Sequence, residues 1–281
     1  MHWQGKSVPS EQLEFVTAKN TFISSRCDTT QIAAQSIAKG AADGYSLLLA
    51  DVSAISIAPA AFAKLPYDPA KELVIVSEVA RTDLILVVPT SSPARTLADF
   101  VKAAKSNTAK VNFATFGAGT PGHFGAEMLA EQAGFKVEPI HFRATGDAVT
   151  AIVAGDVQAA LVSTALGMAQ IKGGKMRGLA TTAPKRTPLL PDVPTFTESG
   201  FPKADFSAWF GVFVPVATPA SVIAILNAQI VDAMHSPDVK KRLEDAGFSI
   251  IGSTQADARQ MVAAEATRWE RVVKASGFKG D

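Results

Sequence analysis

The sequence predicts an α/β protein built on mostly parallel sheets. The chain has 281 residues, of which 47% are hydrophobic, so it is long enough to bury a core without disulfide bonds. Short apolar runs alternate with alanine-rich segments whose apolar residues recur at helical spacing. Strands separated by helices of this length are typical of βαβ units. No apolar run reaches the roughly 18 residues that a membrane-spanning helix needs.

Each predicted element follows from these runs. The predicted strands are short and apolar, and in chain order they are Ser46–Ala50, Leu73–Val79, Leu84–Val88, Val111–Thr115, Glu138–Phe142, Ala159–Val162, Arg177–Thr181 and Trp209–Val214. The predicted helices are Thr29–Lys39, Leu97–Lys105, Gly122–Ala133, Asp147–Ala154, Ala165–Gly173, Pro219–Met234, Pro237–Ala246 and Ala256–Ser276. Two proline-rich stretches, Pro59–Pro69 and Thr182–Lys203, are expected to lie on the surface or between lobes.

Charge and composition exclude several kinds of site. The 27 Lys and Arg residues nearly balance the 26 Asp and Glu residues, which argues against a dedicated nucleic-acid binder. A single cysteine excludes an internal disulfide and a cysteine-rich zinc site. The four histidines include no pair at helical ligand spacing. We therefore predict no metal and no cofactor.

The sharpest local signal is a glycine-rich loop that follows a β-rich run and opens a helix. Gly117, Gly119 and Gly122 allow tight turns and a close approach of a ligand to the backbone. Free amides at a helix start favour an anion, and Thr120 and His123 add possible donors. The loop thus predicts a cradle for a small anion.

Two other interpretations of this loop stay open. Its glycines also match the dinucleotide fingerprint G-x-G-x-x-G, but the next strand ends in His141-Phe142-Arg143 instead of the expected acid. Alternatively, the glycines serve only the packing of a turn.

Further candidate residues each have a structural alternative. Ser53, in the loop Asp51–Ala54 after a predicted strand, is placed to donate to a ligand or simply to close a turn. Trp209 and Phe210 either line a cleft or belong to the strand core, and Trp269 fits core packing.

No catalytic set is evident in the sequence. The G-x-S-x-G nucleophile elbow is absent, and no other group of nucleophile and base emerges. We therefore predict a protein that is not an enzyme. The alternative is an NAD(P)-dependent or hydrolytic α/β enzyme, whose activity would depend on Ser163 or His141.

From Ile32 onward the chain carries a series of short motifs: Asp43–Leu48, Leu65–Pro69, Gly117–Thr120 with His123, Pro184–Arg186, Leu190–Thr195, Trp209–Gly211 and Gly252–Thr254. In order and spacing, over about 250 residues, these motifs resemble the periplasmic solute-binding receptors of tripartite tricarboxylate transporters, the Bug family.

The resemblance implies two α/β lobes around a cleft, as in type II periplasmic binding proteins. Lobe one would comprise residues 1–87 and 213–281, and lobe two residues 88–212. The implied ligand is a small organic carboxylate, the implied partners are membrane transporter subunits, and a monomer is the simplest expectation. The ligand-binding residues it implies are Ser53, Ala54, Gly119, Thr120, Pro121, Gly122, His123, Ser163, Trp209 and Phe210.

The chain departs from the family pattern in places. The family's N-terminal G-G-x-x-D-like strand–loop–helix unit is not found before Thr29, and its next glycine-rich loop is reduced to Ser25–Thr30. No signal peptide is visible, so a periplasmic location follows from the resemblance alone. Val162-Ser163 replaces the family's Asp-Asn, which argues against an amino-acid ligand. A truncated or divergent receptor, or a paralogue without a ligand, stays open.

Overall fold

The computed structural model describes residues 27–106 and 109–280, which form ten α-helices and nine strands. The helices are α1 (Cys27–Ala38), α2 (Ala58–Ala61), α3 (Pro69–Glu72), α4 (Leu97–Ser106), α5 (Pro121–Ala133), α6 (Thr145–Ala154), α7 (Thr164–Lys172), α8 (Ala220–His235), α9 (Pro237–Asp245) and α10 (Gln255–Ser276). The strands are β1 (Leu48–Asp51), β2 (Leu73–Thr82), β3 (Leu84–Pro89), β4 (Val111–Thr115), β5 (Val137–His141), β6 (Ala159–Ser163), β7 (Met176–Thr181), β8 (Ala208–Pro215) and β9 (Phe248–Ile250). Ser53–Ile57 forms one turn of π-helix and Pro202–Ala204 a short 3-10 helix.

All eight predicted strands and all eight predicted helices overlap an observed element. The elements that the sequence did not indicate are α2, α3, β9, the π-helical turn and the 3-10 helix Pro202–Ala204. Each has only three to five residues, and a segment of this length carries little periodicity. The predicted departures before Cys27 lie outside the described residues.

The strands form two sheets. In the four-stranded sheet the order is β1-β8-β2-β9, and every neighbouring pair is antiparallel. In the five-stranded sheet the order is β5-β4-β6-β3-β7. Here β4 is parallel to β5 and β6, whereas β3 is antiparallel to β6 and β7.

The expectation of parallel-rich sheets is wrong, and the reason lies in β3 and β8. The helix-connected strands β4 to β7 do point the same way, as βαβ units require. However, β3 enters the five-stranded sheet from β2 and inserts between β6 and β7 in the opposite direction. Likewise, β8 returns from the long segment after β7 and separates β1 from β2.

The chain therefore passes between the sheets at two places. Asp83 alone separates β2 from β3, and Ser207 directly precedes β8. The predicted boundaries of the lobes, at residues 87/88 and 212/213, fall inside β3 and β8 and stay predictions.

The hydrophobic core is continuous between the two sheets. Trp269 of α10 is fully buried, as the sequence predicts. Its ring packs against Phe206 at a centroid distance of 5.6 Å and against Phe124 of α5 at 6.5 Å. The C-terminal helix thus packs against α5 and against the segment that precedes β8. Within the described residues, no helix is long and apolar enough to cross a bilayer.

Candidate functional site

The glycine-rich loop after β4 takes the conformation that its glycines allow. Gly117 has φ +125° and Gly119 has φ +75°, values that side-chain-bearing residues rarely adopt. The loop then enters α5, whose first helical residue is Pro121, a residue suited to this position. The predicted strand–loop–helix arrangement is therefore present. In the first turn of α5, Pro121 has no N–H, and the amides of His123 and Phe124 donate to the hydroxyl and the carbonyl of Thr120.

Thr120 is the N-cap of α5. Its hydroxyl oxygen accepts a hydrogen bond from the His123 amide at 3.4 Å, and the hydroxyl donates to the Gly117 carbonyl at 2.9 Å. The side chain therefore closes the loop onto the helix start, and its proton is already engaged by the protein.

Gly122 provides close packing between α5 and the sheet. A Cβ atom at this position would lie 3.0 Å from the Leu161 carbonyl oxygen of β6 and 3.7 Å from the Leu84 side chain. The helix start therefore rests directly on the strand. This glycine is required for packing, whatever its part in binding.

His123 holds the loop from inside. Its side chain is 2% exposed, and its Nδ1 accepts a hydrogen bond from the Gly119 amide at 3.2 Å. The ring centroid lies 5.0 Å from that of His141 and 5.0 Å from that of Phe278. Burial lowers the pKa of His123 to about 4, with a further contribution from His141. The imidazole is consequently neutral near pH 7 and positions the loop without offering a positive charge to an anion.

His141 lies at the end of the neighbouring strand β5. Its Nδ1 is hydrogen-bonded to the hydroxyl of Thr115, the last residue of β4, and burial lowers its pKa. The buried His123 and the exposed His141 therefore lie in contact beside the loop. The sequence contained both residues, but nothing in their spacing indicated this contact.

Ser163 lies at the same edge of the five-stranded sheet. Because β4 and β6 are parallel neighbours, the loop after β4 and the end of β6 share one edge. Ser163 is exposed and caps α7, where its Oγ accepts from the Leu166 amide at 3.4 Å. The structure thus brings Ser163 and the loop from Gly119 to His123 to one side of the protein.

Ser53 and Ala54 begin the π-helical turn that follows β1, and both are buried. The Ser53 hydroxyl donates to Oδ2 of Asp51 at 3.0 Å, and the Ala54 amide donates to Oδ1 at 3.3 Å. The Ala54 carbonyl accepts from the Tyr67 hydroxyl at 2.7 Å. Burial raises the pKa of Asp51, while its hydrogen bonds to Ser53 and Ala54 oppose the rise.

The hydrogen bonds of Asp51 to Ser53 and Ala54 match the turn that the sequence gives as the alternative role of the loop Asp51–Ala54. The two donors predicted to face a ligand, the Ser53 hydroxyl and the Ala54 amide, are therefore hydrogen-bonded to the Asp51 carboxylate.

Trp209 and Phe210 are the second and third residues of β8. Trp209 is 1% exposed, packs against Phe213 at 6.3 Å, and its Nε1 has no hydrogen-bond partner within the described residues. Its ring thus belongs to the core. Phe210 lies directly across from Asp51 in the β1–β8 register and contacts Phe248 at 5.7 Å.

The C-terminal segment contacts both His123 in α5 and the residues at the end of α2. Phe278 packs edge-to-face on His123 at 5.0 Å and on Phe62 at 6.2 Å. The Gly280 amide donates to the Ala61 carbonyl at 2.7 Å. This segment therefore bridges α2 and the start of α5, a contact between distant parts of the chain.

Within residues 27–106 and 109–280, no three His, Cys, Asp or Glu residues gather as a metal site.

Comparisons with known proteins agree with this architecture. Residues 18–278 match the family model described as tripartite tricarboxylate transporter family receptor. The chain is 30% identical to protein BugT of Bordetella pertussis over 249 residues, which cover 88% of this chain and 76% of BugT. It is 32% identical over 238 residues to a Pseudomonas protein encoded in the tcbD–tcbE intergenic region, covering 84% of this chain and 70% of that protein.

Solved structures show the same fold. An adipate-bound protein of R. palustris superposes with a TM-score of 0.82 at 26% identity, covering 89% of this chain and 84% of the other. MatC of Rhodopseudomonas palustris, solved with malate, superposes with a TM-score of 0.78 at 30% identity, covering 88% and 85%. The α/β periplasmic-binding-protein fold predicted from the resemblance is confirmed. Because the family model spans nearly the whole sequence, the chain belongs to the tripartite tricarboxylate transporter receptor family of solute-binding proteins.

Proposed function

We propose that this chain is a non-enzymatic receptor that closes two lobes, residues 1–87 with 213–281 and residues 88–212, on a small organic mono- or dicarboxylate. The observation that carries the proposal is the start of α5. There a loop with left-handed Gly117 and Gly119 leads into a helix at the sheet edge where β4 and β6 end. The amides and dipole of a helix start favour a negative charge.

The relatives support a carboxylate as the ligand. Two of the similar structures were solved with adipate and with malate, both dicarboxylates, and these proteins share 26% and 30% of their aligned residues with this chain. A neutral binding site made of amides and hydroxyls is compatible with a chain whose formal charge is only +1.

The proposed ligand contacts fall into two groups. The exposed hydroxyl of Ser163 and the backbone of the α5 start, residues 119–123, would meet one end of the ligand. Ser53 and Ala54 at the end of β1 would face the other side, with Phe210 across the sheet from them. Trp209 would support this group from the core.

The hydrogen bonds of the candidate nucleophile and base favour binding over catalysis. Ser163 accepts from the Leu166 amide, and His141 pairs with Thr115 instead of with a serine. As a family member, the chain is proposed to act in the periplasm, as a monomer, and to deliver its ligand to membrane transporter subunits.

The test is calorimetric titration of the purified protein with mono- and dicarboxylates of two to six carbons. We expect saturable binding of at least one of them. Thr120→Val removes the cap at the proposed site and should weaken that binding at least tenfold. Thr96→Val is the matched control, because Thr96 caps α4 by accepting from the Asp99 amide at 3.1 Å.

Both substitutions should cost about 1 kcal/mol of stability through the lost cap. Only Thr120→Val should also change affinity. Absence of binding to every acid would refute the carboxylate proposal, and unchanged affinity of Thr120→Val would remove the α5 start from the site.

A further inference from the structure

A groove lies between α10, the segment from the π-helical turn to α2, and the starts of α3 and β2. Its volume of about 640 Å³ is within the roughly 300–1,000 Å³ that is typical of small-molecule sites. All its lining residues belong to the proposed lobe one, and none is among the proposed ligand contacts. A ligand in this groove would therefore not need the lobes to close.

One wall of the groove is a single face of α10. The α10 residues that line it are Arg259, Val262, Ala263, Ala266, Thr267 and Glu270. Their spacing of three, four, seven, eight and eleven residues places them on one side of the helix. The charged residues Arg259 and Glu270 thus lie about 16 Å apart along the axis, with mostly small or apolar side chains between them.

The floor of the groove is apolar. It is formed by the buried residues Ile55, Leu73, Ile75 and Phe213. The partly buried Val262 extends this surface toward the rim. An aliphatic chain that covers the floor removes apolar surface of both partners from water, which is favourable.

Ser56 also lines the groove and adds a polar group to its apolar floor. The residue is 3% exposed, and within the described part of the chain its Oγ is buried without a hydrogen-bond partner. Buried hydroxyls are normally paired, because an unpaired one has lost its bonds to water without replacement. A hydroxyl group on a ligand chain would supply the missing partner.

Arg259 provides a positive charge at one end of the α10 face. It is exposed, and no ion pair of the described residues includes it. By contrast, the carboxylate of Asp68, which also lines the groove, is bound by Lys71 at 2.8 Å. A guanidinium group binds a carboxylate through two parallel hydrogen bonds. Arg259 is therefore available to a carboxylate from outside the chain.

We propose that this groove is a second ligand site, which binds a medium-chain monocarboxylate with a hydroxyl group on its chain. The carboxylate pairs with Arg259, the chain covers the apolar floor, and the hydroxyl group pairs with Ser56. Glu270, at the other end of the α10 face, repels a second carboxylate and disfavours a dicarboxylate of the same length. The proposal goes beyond the proposed function, because it concerns other residues and a more apolar ligand.

The test is calorimetric titration of the purified protein with 3-hydroxyoctanoate and 8-hydroxyoctanoate. Octanoate, 1-octanol and suberate, the dicarboxylate of the same length, are the comparison ligands. We expect at least one hydroxy acid to bind at least threefold more tightly than octanoate. Octanoate should in turn bind at least tenfold more tightly than 1-octanol or suberate.

Two variants test the two polar contacts. Arg259→Gln should weaken the binding of octanoate and of the hydroxy acid at least tenfold. Arg271→Gln, at another exposed arginine of α10 that does not line the groove, is the matched control and should change neither. Ser56→Ala should abolish the advantage of the hydroxy acid over octanoate. Because the Ser56 hydroxyl has no partner within the described residues, this variant should be at least as stable as the wild type in urea unfolding.

Thr120→Val, at the start of α5, distinguishes this groove from the site of the proposed function. Hydroxy-acid binding that weakens in Thr120→Val and is unchanged in Arg259→Gln would place the acid at the other site and overturn the proposal. A hydroxy acid that binds no more tightly than octanoate, equal losses in Arg259→Gln and Arg271→Gln, or no binding of any eight-carbon acid would also overturn it. The receptor for short carboxylates would stand in each case. Binding in the groove without binding of any short acid would refute the proposed function alone.

Discussion

The hydroxyl of Ser207 donates a hydrogen bond to the carboxylate of Asp83, and this pair connects the two places where the chain passes between the sheets. The backbone carbonyl of Asp83 also accepts from the amide and the hydroxyl of Thr164, at 3.1 and 3.0 Å. Burial raises the pKa of Asp83, and the charge of Asp205 raises it further, although Ser207 and Arg81 oppose the change. Asp83, which connects β2 to β3, is therefore harder to ionise than an exposed aspartate.

The first prediction concerns this carboxylate. Because the pKa of Asp83 is raised on folding, the folded chain binds more protons than the unfolded chain above pH 3.8, and the contribution of Asp83 to stability decreases as the pH rises. Asp83→Asn keeps an acceptor for Ser207 but cannot titrate. The free energy of unfolding of the variant minus that of the wild type should therefore increase from pH 4 to pH 7 in urea titrations. A difference that decreases over this range would contradict the prediction, and Asp192→Asn, at an exposed position, is the control.

The second prediction concerns His123, whose pKa is lowered on folding, so that its contribution to stability increases with pH. The pKa of about 4 in the folded chain lies below the ordinary histidine value of 6.5, so between these pH values only the unfolded chain binds the proton. The stability provided by neutral His123 is complete above pH 6.5 and is lost as the pH falls toward 4. A shift of this size corresponds to up to about 3 kcal/mol.

His123→Asn should remove this dependence, because Oδ1 of asparagine can accept from the Gly119 amide in place of Nδ1. Urea unfolding at pH 4.5 and pH 7.5 measures the change, and His235→Asn, at the end of α8, is the matched control. Equal losses of stability on acidification in the wild type and in His123→Asn would show that His123 does not cause the effect.

The third prediction concerns the C-terminal segment that covers His123. Phe278→Ala removes the ring that contacts His123 and Phe124, at 5.0 and 5.8 Å. Because Phe278 is only partly buried, we expect a loss of about 1–3 kcal/mol of unfolding free energy. Water would then reach the imidazole, and the pKa of His123 should rise. An NMR titration of the His123 ring measures that rise, and Phe278→Leu should largely prevent it. A His123 titration curve unaffected by Phe278→Ala would contradict the proposed cover.

The elements of the fold were predictable from local pattern, but their directions were not. The sequence predicts strands at Leu84–Val88 and Trp209–Val214 because these two runs are short and apolar, and both lie in observed strands. Their antiparallel orientation depends on which sheet each strand joins after a passage between sheets. No local periodicity encodes that choice.

The same division applies to the site. The glycine-rich loop was predictable because it contains the residue types that a tight turn and a helix start require. The contacts that determine its chemistry come from elsewhere: His141 on the next strand and Phe278 at the end of the chain both contact His123. Asp51 is close in sequence to Ser53 and Ala54. Even so, only the three-dimensional structure shows that the Ser53 hydroxyl and the Ala54 amide donate to Asp51.

The last prediction separates the packing role of Gly122 from its role in binding. A Cβ atom at this position would lie 3.0 Å from the Leu161 carbonyl oxygen, a backbone atom that cannot move away without disturbing β6. Gly122→Ala should therefore lower the unfolding free energy by about 1–3 kcal/mol. Gly146→Ala, in α6, meets no atom within 4 Å and should be neutral or stabilise by up to about 1 kcal/mol. Thermal unfolding measures both. If Gly122→Ala is as stable as the wild type, α5 can shift away from β6, and any loss of carboxylate affinity in that variant then reports on the binding loop alone.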